Sequence, residues 1–212
     1  MASKRQLFEK CFFDTVSKIG YKKSTILSAT SYICPINGNI SKTISFGFTS
    51  FLKPGHLLIQ PYIGVCLNQI DRLLYDLLEC SNRFKYKPSE TISSPIWKYM
   101  DDGHFHFQEW DMDDSSQSQI IVDDILSKIE EYGSAFYGPF GDGNLDNVAE
   151  YLINDSKACS GGKRDWIIPA VYYLLGEKQK GWKYIENRID ESPKAYCDIL
   201  DKVYLKNYLA LP

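Results

Sequence analysis

Few residues in this sequence have the types and spacing that catalysis or metal binding requires. His104 and His106 alternate along a segment that also contains Glu109 and Asp111. Side chains two positions apart on a β-strand share a face, so the two histidines could bind a metal ion together with a carboxylate. No spacing fixes a third ligand, and the same residues are typical of an ordinary strand. We therefore predict no metal site.

The six cysteines give no signal of reactivity either. They lie far apart in the sequence, form no C-x-x-C pair, and have no basic neighbour that would activate a thiol as a nucleophile. The glycine-rich phosphate-binding signatures and the common hydrolase and metalloprotease signatures are also absent. We predict that the protein is not an enzyme, with no catalytic residue and no cofactor.

The most unusual feature is a run of carboxylates between residues 101 and 131, where ten acidic side chains accompany the single base Lys128. Residues 1–87 instead hold 12 basic and 5 acidic side chains, although the whole chain carries a net charge of only −3. A concentrated negative field accelerates and orients the approach of a basic partner. Helix capping and a solvated surface are the alternative explanation, because Asp113 and Asp114 precede a predicted helix.

We predict that the acidic segment binds a basic protein. Trp110 lies among the carboxylates, and aromatic side chains often occupy the energetically dominant centre of an interface. The candidate interface residues are Asp101, Asp102, Glu109, Trp110, Asp111, Asp113 and Asp114. Basic and aromatic residues also alternate over 83–87, as in proteins that bind single-stranded nucleic acid. That stretch is short and equally typical of a loop, so nucleic acid is not the favoured partner.

The elements that must position these residues follow from hydrophobic periodicity. Apolar residues have helical spacing over 3–19 and alternate with polar ones, as in strands, over 25–67. Asn37-Gly38-Asn39 is predicted to be a hairpin turn between two of these strands. Pro61 indicates an edge position or a bulge, because proline cannot donate a ladder hydrogen bond. Asn68 begins a helix that covers the sheet. The predicted first helix spans 3–19, and the predicted strands span 26–36, 40–51, 57–67 and 104–107.

From residue 114 onward the apolar residues recur with the helical period and form five stripes, which predict five helices. Because the links between them are short, consecutive helices are expected to be antiparallel. Ser192-Pro193 is predicted to begin the last helix, with Ile199 and Leu200 facing inward. The predicted fold class is α+β: an N-terminal helix, a mostly antiparallel sheet of three to four strands with a covering helix, and a C-terminal helical bundle. The predicted units are 1–113 and 114–212, packed as one compact domain.

The sequence also suggests a compartment. Charged residues interrupt the first twenty positions, and no apolar stretch approaches the roughly 20 residues that cross a bilayer. Dispersed cysteines fit a reducing environment. We expect a cytoplasmic protein with no membrane partner.

Several short segments resemble bacterial α+β immunity proteins of polymorphic and contact-dependent toxin systems. They are the helix at 7–19 with the Gly20-Tyr21-Lys22-Lys23 that follows, the strand end at 44–48, the strand at 60–65, Trp110 and the turn at 137–140. The resemblance implies a cytoplasmic protein that neutralises a toxin by binding it, often through an acidic surface when the toxin is a nuclease. Immunity families share no universal binding residue, so the resemblance assigns no residue a role.

The expected function is therefore that of an immunity, or antitoxin, protein that covers the active site of a basic bacterial toxin. One alternative is an adaptor whose helical hairpins, around Leu174-Leu175-Gly176 and Trp182, form a groove for another protein. A less favoured alternative is a nucleic-acid-binding protein or an enzyme that uses the basic first part of the chain.

Overall fold

The fold is the predicted α+β class. The computed structural model describes residues 2–26, 29–50, 52, 54–79, 90–100, 109–141, 144–154, 163–192 and 196–212. In chain order its elements are α1 (Lys4–Val16), β1 (Lys22–Ile26), β2 (Ala29–Pro35), β3 (Ile40–Thr49), β4 (Leu57–Leu67), α2 (Asn68–Leu77), β5 (Ile92–Pro95), β6 (Trp110–Met112), α3 (Ser118–Tyr137), α4 (Leu145–Asn154), α5 (Lys163–Leu174), α6 (Lys178–Glu191) and α7 (Ile199–Ala210).

The described strands form one antiparallel sheet of six, which is larger than the three to four strands predicted. Strands β1 to β5 follow one another in order, and β6 also pairs with β4. The predicted strand at 26–36 is in fact the second arm of a hairpin whose first arm is β1. The predicted strand at 104–107 lies outside the described residues. Strands β5 and β6 are too short to show an alternating pattern.

Pro61 lies in the central strand β4 rather than at an edge of the sheet. On one side it is paired with Phe46 of β3. On the other side β5 pairs with residues 62–65 of β4, and β6 pairs with residues 57–59. Proline is tolerated at this junction because neither short strand pairs with it.

The apolar face of the sheet is covered by α1 and α3. Phe12 of α1 lies 4.7 Å from Phe46 of β3, measured between ring centroids, with the rings nearly perpendicular. Lys42, on the same face of β3, lies 4.8 Å from the ring of Tyr137 of α3. The Tyr137 hydroxyl donates to the carbonyl of Thr43 at 3.3 Å. Both helices are thus held against one side of the sheet, and residues from both predicted units share this core.

The last helices form a second apolar cluster with the end of α2. Its buried members are Leu77, Ile185, Tyr196, Tyr204 and Tyr208. Helix α5 joins the two clusters, because its Trp166 and Tyr173 pack against the second cluster, whereas its Ile167 and Val171 belong to the main core.

Helix α5 contains Pro169 in its interior, and a tyrosine hydroxyl supplies the hydrogen bond that the proline cannot make. Proline has no N–H to donate to the carbonyl of Asp165, four residues earlier. The Tyr196 hydroxyl donates to that carbonyl instead. Tyr204 donates to the carbonyl of Trp166 at 2.8 Å, and Tyr208 donates to the carbonyl of Pro169 at 3.2 Å. Tyr196 therefore supplies the hydrogen bond that Pro169 cannot, and Tyr204 and Tyr208 add hydrogen bonds to two further carbonyls of the same helix.

Helix α7 begins later than predicted. Its N-cap is Asp198, whose side chain accepts from the N–H of Asp201 at 2.8 Å, rather than Ser192. Ile199 and Leu200 were expected inside but are 81% and 48% exposed. The buried face of α7 instead carries Tyr204 and Tyr208.

Gly181 of α6 provides a stability test of this helical packing. An added Cβ would overlap the Tyr208 hydroxyl and lie 3.0 Å from the carbonyl oxygen of Pro169. We expect Gly181→Ala to lower the free energy of unfolding by about 1–3 kcal/mol, because backbone must move to accommodate the methyl group. Gly138→Ala is the control, since its Cβ meets nothing within 4 Å. Equal urea midpoints for the two variants would contradict this packing.

A double-mutant cycle tests the role of Tyr196. In the natural background, Tyr196→Phe leaves the Asp165 carbonyl without a donor and should cost about 1–2 kcal/mol. In a Pro169→Ala background, the introduced alanine supplies the missing N–H, so the same substitution should cost less than about 0.5 kcal/mol. Urea denaturation of the four proteins measures both costs. The same cost in both backgrounds would rule out this compensation.

Candidate acidic binding surface

Five of the seven predicted interface residues lie in the part of the chain that the structure describes. Asp101 and Asp102 lie outside the described residues, as do His104 and His106, the pair considered for metal binding. The other five residues lie on or next to β6. Glu109 is half-buried, Trp110 is buried, and Asp111, Asp113 and Asp114 are exposed.

Strand β6 decides which of these side chains reach the surface. It pairs Trp110 with Ile59 and Met112 with Leu57 of β4. Because side chains alternate between the faces of a strand, Trp110 and Met112 enter the core and Asp111 points outward. Asp111 Oδ1 lies 2.7 Å from Nδ1 of His56, which comes from the turn between β3 and β4.

Trp110 does not present an aromatic surface to a partner, contrary to its expected role. Its side chain is only 6% exposed and packs in the main core. The indole Nε1 donates to Oδ2 of Asp124 on α3 at 2.6 Å. The buried indole of Trp110 therefore holds the Asp124 carboxylate of α3 next to β6.

The turn after β6 is held by side-chain hydrogen bonds to its backbone. Oδ1 of Asp114 accepts from the N–H of Ser116 at 2.7 Å and caps the short helical turn Ser115–Gln117. The Gln117 side chain accepts from the N–H groups of Asp113 and Asp114 at 3.1 and 3.3 Å. The hydrogen bonds from Ser116 lower the pKa of Asp114, and the nearby Lys4 acts in the same direction.

Lys4 of α1 joins this turn to the rest of the molecule. Its ammonium group donates to the carbonyls of Gly55 and Asp113. It thereby links the first turn of α1, the β3–β4 turn and the end of β6. Further along the two helices, Sγ of Cys11 lies 3.2 Å from Oε1 of Gln119. Helices α1 and α3 are consequently in contact with each other next to this turn.

Helix α3 extends the surface with four exposed carboxylates that were not among the predicted interface residues: Asp123, Asp124, Glu130 and Glu131. Residues seven apart on a helix lie on the same side, about two turns along the axis. Glu131 lies 3.1 Å from the ammonium group of Lys128. Hydrogen bonds from Tyr132 and Lys128 lower the pKa of Glu131.

Ile120 is the exposed apolar residue of this surface. It is 72% exposed and lies one turn before Asp123 and Asp124 on α3. Its position was visible in the sequence, since Ile120 falls outside the buried stripe that contains Val122, Ile125 and Leu126. We use the name acidic surface for Asp113, Asp114, Ile120, Asp123, Asp124, Glu130 and Glu131; Asp111 is not part of it, because its side chain points to the face of the sheet opposite α3.

No family model, curated protein or solved structure matches the chain. The geometry of the molecule therefore carries the functional argument. Among the described residues, no three His, Cys, Asp or Glu side chains are grouped so that they could hold a metal ion. Likewise, no described helix combines the length and the apolar character that crossing a membrane requires.

Asp124 and Asp123 form a matched pair for testing the support of the acidic surface. Both are exposed neighbours on α3, but only Asp124 accepts from the buried indole of Trp110. We expect Asp124→Ala to lower the free energy of unfolding by about 1–2 kcal/mol, because the indole N–H loses its acceptor. Asp123→Ala should change it by less than about 0.5 kcal/mol. Chemical denaturation measures both, and equal losses would contradict the contact.

Proposed function

We propose that this protein is an immunity protein that binds a cognate bacterial toxin in the cytoplasm and covers its active site. The observation that carries the proposal is the acidic surface, which combines six exposed carboxylates with the exposed apolar side chain of Ile120. The resemblance of the short segments to immunity proteins supports the same assignment.

The acidic surface suits a basic partner in both rate and orientation. Concentrated negative charge steers a positively charged protein and raises its association rate by roughly 10 to 1,000-fold at low salt. Lys128 is the only base in the α3 segment, and it is paired with Glu131. The field directed outward is therefore dominated by carboxylates. A cationic active site, such as that of a nuclease, is complementary to such a surface.

The backbone beneath the carboxylates supports tight binding as well. Gln117 and Ser116 fix the turn, Lys4 ties it to α1, and Trp110 fixes Asp124. A surface that is ordered before contact loses less conformational entropy on binding. Ile120 adds an apolar side chain that the partner can bury, with the carboxylates as its polar rim.

A second candidate, an adaptor that binds through its C-terminal helices, is favoured by a separate observation. Helix α7 exposes two adjacent apolar residues, Ile199 and Leu200, at its start. Apolar side chains exposed on one helix are consistent with a protein contact in this region. The two candidates differ in the residues on which binding depends.

The proposal is tested with a toxin candidate encoded next to this protein's reading frame. We expect co-expression of the two to restore growth, and the purified pair to associate at least tenfold more slowly at about 500 mM salt than at about 50 mM. A double charge reversal, Asp123→Lys with Glu130→Lys, should weaken binding at least tenfold, and Ile120→Ala should weaken it by a similar factor.

Asp76→Lys on α2 together with Asp190→Lys on α6 is the control, because the pair makes the same charge change at exposed sites outside the acidic surface. It should leave association unchanged. Salt-independent association, or loss of binding only with Ile199→Asp and Leu200→Asp, would refute the acidic interface and favour the adaptor. Failure to protect against any neighbouring toxin would refute the immunity function itself.

A further inference from the structure

A cavity of about 280 Å³ lies where β2 separates from β3. The pairing of the two strands ends with Ser31 opposite Ser45, whereas β3 continues to Thr49 alongside β4. Helix α1 closes one end of the gap with Arg5 and Glu9. The opposite end is lined by residues of β4 and of the segment around β5.

The cavity is separate from the acidic surface. Lys4 and Cys11 lie on the flank of α1 that contacts the turn after β6 and α3. Arg5 and Glu9 lie on the other flank, toward β2 and β3. A ligand in the cavity would therefore not contact the proposed toxin interface, and the two sites can be tested independently.

Arg5 is oriented in a way that suits an anion. Its Nε donates to Oε1 of Glu9 at 2.9 Å, and its guanidinium lies 4.7 Å from the centre of the Phe48 ring. No hydrogen bond joins its terminal amino groups to any described residue. A guanidinium fixed through Nε and an aromatic ring keeps its remaining N–H groups for a carboxylate, which binds such a fork through both oxygens.

The charges of the cavity differ between its two ends. At the α1 end, Glu9 is 14% exposed and faces two cations, Arg5 and the ammonium group of Lys23 at 3.7 Å. This end is therefore positive overall. At the other end, Oε1 of Glu90 accepts from the Thr43 hydroxyl at 3.3 Å.

We propose that the cavity binds a small zwitterion of the α-amino-acid class. The ligand carboxylate binds the Arg5 fork, and its ammonium group lies toward Glu90. Hydroxyl groups of Ser31, Ser45 and Ser93 line the space between and supply further hydrogen-bond partners. Sites for drug-sized ligands occupy roughly 300–1,000 Å³, so a cavity of about 280 Å³ suits a smaller molecule of this kind.

Calorimetric titration of the full chain with each standard amino acid tests the proposal. We expect saturable binding of at least one of them at about 10 mM or below. The matching amino-acid amide, which lacks the carboxylate, should bind roughly tenfold more weakly or worse, and so should the matching acid without the amine. Arg5→Gln should reduce the affinity by at least the same factor.

Lys10→Gln is the control, because it removes the same charge from an exposed position on α1. It should leave binding unchanged. Arg5→Lys, which keeps the charge but loses the fork, should behave like Arg5→Gln and provides a second readout if that variant unfolds. No binding by any amino acid, equal binding of acid and amide, or equal effects of the Arg5 and Lys10 variants would overturn the proposal.

Discussion

The hydrogen-bonding requirement of β4 governs the rest of the structure. Its side chains are buried over most of its length, so water cannot satisfy the N–H and C=O groups along its edges. Strand β3 covers one edge, and the short strands β5 and β6 divide the other. Because β6 must pair there, the carboxylates that follow it are brought beside α1 and α3.

The same requirement reappears in the helical part of the chain. Pro169 cannot donate to the carbonyl of Asp165 in α5, and the Tyr196 hydroxyl donates to it instead. Tyr204 and Tyr208 donate to two further carbonyls of the same helix. Burial raises the pKa of Tyr208 to about 12, so this hydroxyl keeps its proton, and can donate, well into the alkaline range. Because α5 also contributes to the main core, its packing connects the C-terminal helices to the sheet.

The parts of the fold that the sequence predicted are those with long, regular patterns. The Asn37-Gly38-Asn39 turn, the start of α2 near Asn68 and the succession of C-terminal helices all follow from local residue preferences. The β1–β2 hairpin was missed because the predicted strand began at residue 26, where β1 ends, and the polar residues 22–25 were not recognised as a strand. Strand β6 has three residues, and its pairing with β4 depends on a segment far away in the chain, which no local pattern reveals.

The candidate site was predictable in the same uneven way. The concentration of carboxylates and the exposure of Asp111, Asp113 and Asp114 could be inferred from the sequence. The burial of Trp110 could not, because it depends on the register of β6 against β4. The cavity beside Arg5 is harder still to foresee, since it arises where the β2–β3 pairing stops while β3 continues.

The contact between Lys4 and the carbonyl of Asp113 has a practical consequence. It places the beginning of α1 directly beside the acidic surface, so any segment attached ahead of residue 2 emerges next to that surface. The last helix instead belongs to the second apolar cluster. An affinity tag or a fluorescent label after α7 therefore leaves the carboxylates accessible to a partner. A tag placed before α1 lies next to the carboxylates and obstructs a partner that binds them.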